Sequence, residues 1–229
     1  NIQGLPTWFE VRVSEKGYLG RREGVDIMVA MNAETFAEDI DSIVPGGYLL
    51  YDNSKPLATE LVRRDIHEIG MPIATMLLPE FVDPKQRGLF KNITYLGALA
   101  GLLNIEFDVI TGMVATQYKG KDALIEPNIR ALELGRNYAL EYLAAPLPLQ
   151  VKRSDAVGDR IMMEGNDAAG LGGVYGGATV CAWYPITPST SVAESFENHC
   201  KKLRVDPQSG EKNYAFIQAE DELAAIGIV

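Results

Sequence analysis

Cysteine and histidine are scarce: the 229-residue chain holds only two of each, Cys181, Cys200, His67 and His199. The cysteines form no CxxC pair and lie near no histidine cluster, which excludes a disulfide framework and leaves no zinc or iron-sulfur ligand set. Such cysteine usage points to a reducing, cytoplasmic setting. The histidines occur in the polar stretch RRDIHEIG and beside Cys200 and two lysines. With no second ligand spaced near either, both are expected at the surface. Positive charge is short as well. The 21 Lys and Arg face 31 Asp and Glu, a net charge of -10, so the chain does not suit a phosphate backbone and no nucleic acid is expected as partner. Long apolar runs are missing too. GALAGLL, Gly97 to Leu103, falls well short of the ~20 residues of a membrane span, so no membrane contact is expected, and nothing reads as a signal peptide. The chain starts at Asn1 rather than Met and stops in the uncapped apolar pattern Ala224 to Val229. Both ends are therefore expected to be cut from something longer.

What is present is ordinary globular composition, 47% hydrophobic and 23% charged residues, enough for one large domain or two modest ones. Trp8 to Val13 (WFEVRV) alternates and predicts an edge strand, while Val25 to Met31 (VDIMVAM) predicts a strand buried on both faces. Asn32 can cap a helix over Glu34 to Ile43. Pro45-Gly46-Gly47 then turns into a strand at Tyr48 to Tyr51, a helix is predicted over Leu57 to Ile69, and a further strand over Ile73 to Leu78. That rhythm predicts a parallel sheet with crossover helices. After Pro84 the pattern is helical, over Leu89 to Leu103, Phe107 to Tyr118 and Asn128 to Leu143. The small residues Gly97, Ala98, Ala100 and Gly101 predict close packing of the first of these against a neighbour. Pro146-Leu147-Pro148 and the polar run Lys152 to Asp155 make the best boundary, giving domains over 1–150 and 151–229.

The second half predicts a strand at Arg160 to Met163 and then a glycine-rich stretch, EGNDAAGLGGVYGGA. This is neither GxGxxG with a downstream acid nor GxxxxGK[ST]. A tightly packed helix capped by Asn166 or Asp167 is the better reading, and the missing fingerprint counts against a nicotinamide dehydrogenase. Strands follow at Val180 to Tyr184 and Tyr214 to Gln218, with helices at Ser191 to Leu203 and from Glu220 onward. In open α/β sheets ligands sit beyond the carboxyl ends of the strands. That rule singles out two loops.

The first loop is YPITPST, Tyr184 to Thr190. Its prolines stop the strand and stiffen the backbone, and its hydroxyls suit either a helix cap at Ser189 or Thr190 or a preorganised binding loop. The second is QAEDE, Gln218 to Glu222. Its three carboxylates suit the start of a helix, where each contributes ~0.3–1 kcal/mol against the helix dipole. Glu222 differs from Glu220 and Asp221 because Leu223, Ala224, Ala225 and Ile226 follow it. It is expected to border buried helix, where a carboxylate can hold a proton for a ring nitrogen.

Together WYPITPSTS and QAEDELAAIGIV, after GNDAAGLGGVYGGATV, resemble the alpha subunit of 2-oxoacid:ferredoxin oxidoreductases, the 2-oxoglutarate type most closely. NIQGLPTWFEVRVS, VDIMVAMNAETF, PGGYLLYD and LFKNITYLGALAGLL resemble the family's gamma domain, which precedes the alpha part in fused chains. The resemblance implies an α/β gamma domain over 1–150, cut at its start, and the first part of a pyrimidine-type α/β domain over 151–229, cut at its end. It implies oxidative decarboxylation of a 2-oxoacid on thiamine diphosphate shared with a beta subunit, transfer to coenzyme A, and electrons passing to ferredoxin. Thr187 matches the threonine beside the reactive thiazolium carbon, and Glu222 the glutamate bonded to the aminopyrimidine ring nitrogen. Tyr184, Pro185, Ile186 and Pro188 complete the cofactor-side loop. The carboxylate helps the cofactor's own amine deprotonate that carbon, so the protein supplies electronics and position.

No magnesium or diphosphate motif and no cluster cysteines appear in this chain. The resemblance places magnesium and an iron-sulfur cluster on the beta subunit, and a substrate-binding arginine beyond Val229. The fragment alone is therefore not expected to turn over substrate. The reading from another class is a non-catalytic α/β binding or assembly module with its acidic surface as the partner face.

Overall fold

The computed structural model describes residues 6–18 and 20–229, and their contacts divide the chain into two compact units, the first ending at Ser154 and the second starting at Asp155. The NIQGL portion of the N-terminal segment lies outside the described residues.

The first unit is built on a parallel sheet of three strands in the order β1-β2-β3: β1 Val25–Ala30, β2 Ile43–Asp52 and β3 His67–Met71. Asn32 caps the chain as it leaves β1, its Oδ1 accepting from Glu34 N at 3.1 Å, and a 3-10 turn leads into α1, Phe36–Asp41. The strand predicted from Tyr48 begins five residues earlier, at Ile43. Pro45-Gly46-Gly47 lies inside it as a bulge, since Val25 pairs with Ile43 but Ile27 pairs with Tyr48. Gly46 has φ +80°, and a Cβ on Gly47 would lie 2.6 Å from Ile43 Cγ2, so both positions need glycine.

Three predicted elements of this unit are corrected. Trp8 to Val13 forms no strand: Phe9 is 92% exposed, Val11 and Val13 are exposed too, and no ladder partner faces them among the described residues. Alternation builds a strand only where one face meets a core. Trp8 itself donates from Nε1 to Asp39 Oδ1 at 2.6 Å. Leu57 to Ile69 is not a helix but a 3-10 turn at Thr59–Leu61 followed by β3, in which Ile69 pairs with Leu50 and Gly70 with Tyr51. Arg63 decides the path between them by donating to the carbonyls of Ile40 and Ile43. Ile73 to Leu78 is not a strand but the start of α2, Ile73–Glu80, which buries Ile73 and Leu77 one turn apart. A short, continuous apolar run has no period that separates strand from buried helix.

Three long helices follow: α3 Pro84–Leu102, α4 Phe107–Gln117 and α5 Ile125–Tyr142. Asp83 caps α3 through Lys85 N at 2.9 Å, with Pro84 in the first turn, where a missing N–H costs nothing. The glycine stripe is used in pairs. A Cβ on Gly97 would lie 2.0 Å from Leu132 O, and one on Gly135 would lie 2.0 Å from Thr94 O, so each helix presents a glycine to the other's backbone. The core beneath them joins Leu50, Met71, Ile73, Leu77, Tyr95, Ala98 and Leu102 from sheet and helices.

Asp52 ends β2 and is largely buried beside Lys91, whose Nζ is 2.9 Å from its Oδ2. Burial raises its carboxyl, but the hydrogen bond from Ser54 and the Lys91 ammonium together hold it below the ordinary carboxylate range. A folded value below the unfolded one stabilises fully above the ordinary range, and that contribution is lost as pH falls through the depressed value. Lys91→Met leaves burial without its counter-charge. The acid-unfolding midpoint, followed by far-ultraviolet circular dichroism, is expected to move to higher pH, and an unchanged midpoint would refute a role for the pair.

The second unit contains α6 Gly165–Tyr175, β4 Val180–Trp183, α7 Thr190–Leu203, β5 Ala215–Gln218 and α8 Glu222–Ile228. Strands β4 and β5 pair in parallel. Arg160 to Met163 forms no strand: Ile161 and Met162 are exposed, Met162 by 95%. Helix α6 is the packed glycine-rich helix expected, but the residue at its cap is Glu164, which makes no side-chain cap bond. Asn166 and Asp167 lie inside the first turn and bond to other segments instead. Val174, Phe196 and Cys200 form the small core, with Cys181 and Phe216 packed against them. Burial pushes both thiols up. Among the described residues no helix is long and apolar enough to cross a membrane.

Candidate functional site

The site is built from the parallel pairing of β4 and β5. Trp183 stands opposite Gln218, and Ala219 N donates to Trp183 O at 2.7 Å just past the ladder. The two loops predicted from sequence therefore leave the same end of the sheet from hydrogen-bonded neighbours. This is the carboxyl end, where α/β sheets receive ligands.

After Trp183 the chain turns away at Tyr184-Pro185, and the Thr187–Pro188 peptide is cis. The carbonyl of Ile186 accepts from Ser189 Oγ at 2.8 Å, Thr190 N at 3.1 Å and Thr190 Oγ1 at 3.2 Å. Neither Ser189 nor Thr190 makes the side-chain cap expected of it, because both hydroxyls turn back into the loop. Tyr184 is half-buried, whereas Pro185, Ile186, Thr187 and Pro188 are exposed. The Thr187 hydroxyl has no partner among the described residues.

On the second loop, Asp221 caps α8: its Oδ1 accepts from Ala224 N at 2.7 Å. Glu222, the first residue of the helix, is exposed and has no hydrogen-bond or ion-pair partner among the described residues. The expectation that it borders buried helix is corrected. No residue of α8 is buried, and Leu223 and Ile226 are 81% and 74% exposed. An apolar sequence buries a helix only where something packs on it, and within this unit nothing covers that face. No bond links Thr187 to Glu222; what brings their loops together is the strand register.

Sequence reasoning missed a polar cluster beside the first loop. Asn166 Nδ2 donates to Pro188 O at 3.1 Å and to Ser191 Oγ at 2.7 Å. Asp167 accepts from Ser195 Oγ through both its backbone oxygen and Oδ1, and His199 Nε2 lies 3.0 Å from the same Oδ1. Those hydrogen bonds, Ser195 first and His199 second, hold the Asp167 carboxyl below the usual range. His199 is thus corrected from a surface residue to a half-buried one, while His67 is exposed as expected. The available signal was the spacing of Ser191, Ser195 and His199, one face of α7 at steps of four. Its partner on α6 is remote in sequence.

Parallel α/β units with candidate groups beyond paired strand ends have the architecture of α/β proteins that take ligands at those ends. The family model for pyruvate ferredoxin/flavodoxin oxidoreductase matches residues 1–138, and that for the thiamine diphosphate-binding part of pyruvate flavodoxin/ferredoxin oxidoreductase matches residues 172–229. The chain belongs to the pyruvate ferredoxin/flavodoxin oxidoreductase family.

Subunit alpha of 2-oxoacid:ferredoxin oxidoreductase 2 from Aeropyrum pernix is 26% identical over 275 aligned positions, covering 100% of this chain and 42% of its own length. The 2-oxoglutarate synthase subunit KorA of Methanothermobacter thermautotrophicus is 37% identical over 71 residues, 31% of this chain and 16% of that protein. A solved structure of 2-oxoglutarate:ferredoxin oxidoreductase from Magnetococcus marinus, with 2-oxoglutarate, coenzyme A and succinyl-CoA bound, superposes with a TM-score of 0.70 at 30% identity. That match covers 89% of this chain and 33% of the other. The chain spans about two fifths of the length of the full-coverage curated relatives.

Proposed function

We propose that this chain is part of a thiamine diphosphate-dependent 2-oxoacid:ferredoxin oxidoreductase. The reaction is oxidative decarboxylation of a 2-oxoacid, 2-oxoglutarate by our reading, to carbon dioxide and the acyl-coenzyme A thioester, with the electrons passed to ferredoxin. The observation that carries the proposal is the placement of YPITPST and QAEDE at the same end of adjacent parallel strands, in a segment matched by a thiamine diphosphate-binding family model. The 2-oxoglutarate preference is supported by the kinship to KorA and by the fold shared with an enzyme solved with that acid.

The residues present suit one end of the cofactor. Thr187 offers a hydroxyl and Glu222 a carboxylate, both exposed and unpartnered among the described residues. Neither loop carries Lys or Arg to neutralise a diphosphate. These residues suit the ring end, and the resemblance to 2-oxoacid:ferredoxin oxidoreductases assigns the diphosphate, its magnesium and an iron-sulfur cluster to a partner beta subunit. Thiamine diphosphate, when bound, would supply a nucleophilic ring carbon and an electron sink for decarboxylation. Glu222 holds a proton at the pyrimidine ring nitrogen, Thr187 orients the reacting groups, and Tyr184, Pro185, Ile186 and Pro188 form the wall against the rings.

The test is a panel of 2-oxoacids on the assembled enzyme, with coenzyme A and ferredoxin or a viologen dye as acceptor. The highest kcat/KM is expected for 2-oxoglutarate, with turnover dependent on thiamine diphosphate. Preference for pyruvate would overturn the substrate, and no 2-oxoacid-dependent reduction would overturn the function.

A further inference from the structure

Thr187 stands between two carbonyls that are each tied down. Ile186 O is closed into the turn by Ser189 and Thr190, and Pro188 O accepts from Asn166 Nδ2 at 3.1 Å and from Ser191 Oγ at 3.0 Å. Asn166 is, among the described residues, the only side chain from another element hydrogen-bonded to residues 184–191. Its own helix is firmly seated. A Cβ on Gly170 would lie 2.7 Å from Phe196 N, so α6 lies directly against α7, and Asp167 ties the same two helices through Ser195 and His199. The anchor point of the loop is thus a closely packed helix pair rather than another loop.

We infer that Asn166 is a positioning residue: by donating to Pro188 O and Ser191 Oγ, it holds the Thr187 segment against α6 and so sets where the Thr187 hydroxyl stands. This rests on the proposed reading that Thr187 meets the cofactor and substrate. The chemistry requires an amide at this position. Both bonds use Nδ2 as donor, and one nitrogen with two hydrogens serves the carbonyl and the hydroxyl together. Aspartate has the same shape and no donor, so Asn166→Asp would set a carboxylate against the Pro188 carbonyl without changing volume. Positioning matters because displacing a reacting group by about 1 Å can cost about 10²-fold in rate.

The experiment is a double-mutant cycle in the assembled, cofactor-loaded enzyme, read as kcat, with hydrogen exchange of residues 184–191 measured separately on cofactor-free preparations of the same variants. Asn166→Asp is expected to lower kcat by about 10- to 10²-fold and to speed exchange in the loop. Ser191→Ala, which loses the Ser191 Oγ bonds but keeps the Asn166 Nδ2 bond to Pro188 O, is expected to act in the same direction and less. In a Thr187→Val background, Asn166→Asp should cost little more, because its effect runs through Thr187; a purely structural role would add in full. Unchanged loop exchange, or full additivity, would overturn the positioning role while leaving the reading of Thr187 intact. If Thr187→Val by itself has wild-type kcat, the reading of the site fails instead.

Discussion

Replacing Glu222 by Gln in the assembled enzyme is expected to lower 2-oxoacid-dependent reduction of ferredoxin or a viologen dye by about 10²- to 10⁴-fold, the range of a lost general acid–base group. Assembly and thermal stability are expected to persist. Glu222 opens α8, but the helix is capped by Asp221 through Ala224 N, so the fold does not draw on the Glu222 side chain. It is exposed and has no partner among the described residues, and substitutions at such positions usually fall within about 0.5 kcal/mol. Glutamine keeps the shape and loses the ability to take up a proton. Glu220, exposed two residues earlier, is the internal control: Glu220→Gln should retain wild-type turnover. If Glu220→Gln is the inactive variant and Glu222→Gln is not, the role belongs to the earlier carboxylate. Asp221→Ala should separate from both by loosening α8, at a cost of about 0.5–2 kcal/mol for a lost cap.

The second large effect lies at the crossing of α3 and α5. Gly135→Ala is expected to destabilise the chain by about 2 kcal/mol, within the range for overpacking a close-packed site. A Cβ 2.0 Å from Thr94 O cannot be relieved by a side-chain rotation, because the obstacle is backbone. The helices must part, which opens the seam along Ala98, Ala131, Leu132 and Ala139, all buried. Gly97→Ala should behave alike, since its Cβ meets Leu132 O at the same distance. Gly112→Ala is the matched contrast. It is also a helical glycine, on α4, but a Cβ there meets nothing within 4 Å. That substitution should stabilise by about 0.5–1 kcal/mol through helix propensity and the unfolded chain's entropy. Thermal unfolding by circular dichroism should separate the variants, with Tm falling by about 4–8 °C for Gly135→Ala and rising for Gly112→Ala. Equal Tm values for the two would refute the close-approach account.

The long helices α3, α4 and α5 of the first unit are legible because their signals are local and redundant. Small residues at Gly97, Ala98 and Gly101 mark a seam, although α3 starts at Pro84 rather than at the expected Leu89. The segment from Leu57 to Leu78 was misread in both directions: helix where β3 forms, and strand where α2 forms. Its apolar runs are too short to show a period. Pairing with β2 and the reach of Arg63 to Ile40 and Ile43 settle it, and these are contacts more than ten residues away. Trp8 to Val13 and Arg160 to Met163 show the converse, since strand-like composition without a sheet to join stays irregular.

At the candidate site, the sequence by itself determined where the strands must stop and which groups the loops carry. Pro185 and Pro188 forbid further ladder, and Thr187 and Glu222 are read directly from YPITPST and QAEDE. Only the tertiary structure decided that these loops share one sheet end, that Glu222 stands exposed, and that Asn166 is bound to the Pro188 carbonyl. The physical reason is range. A proline acts on its own backbone, whereas parallel register and a hydrogen bond spanning 22 residues exist only after the helices have packed.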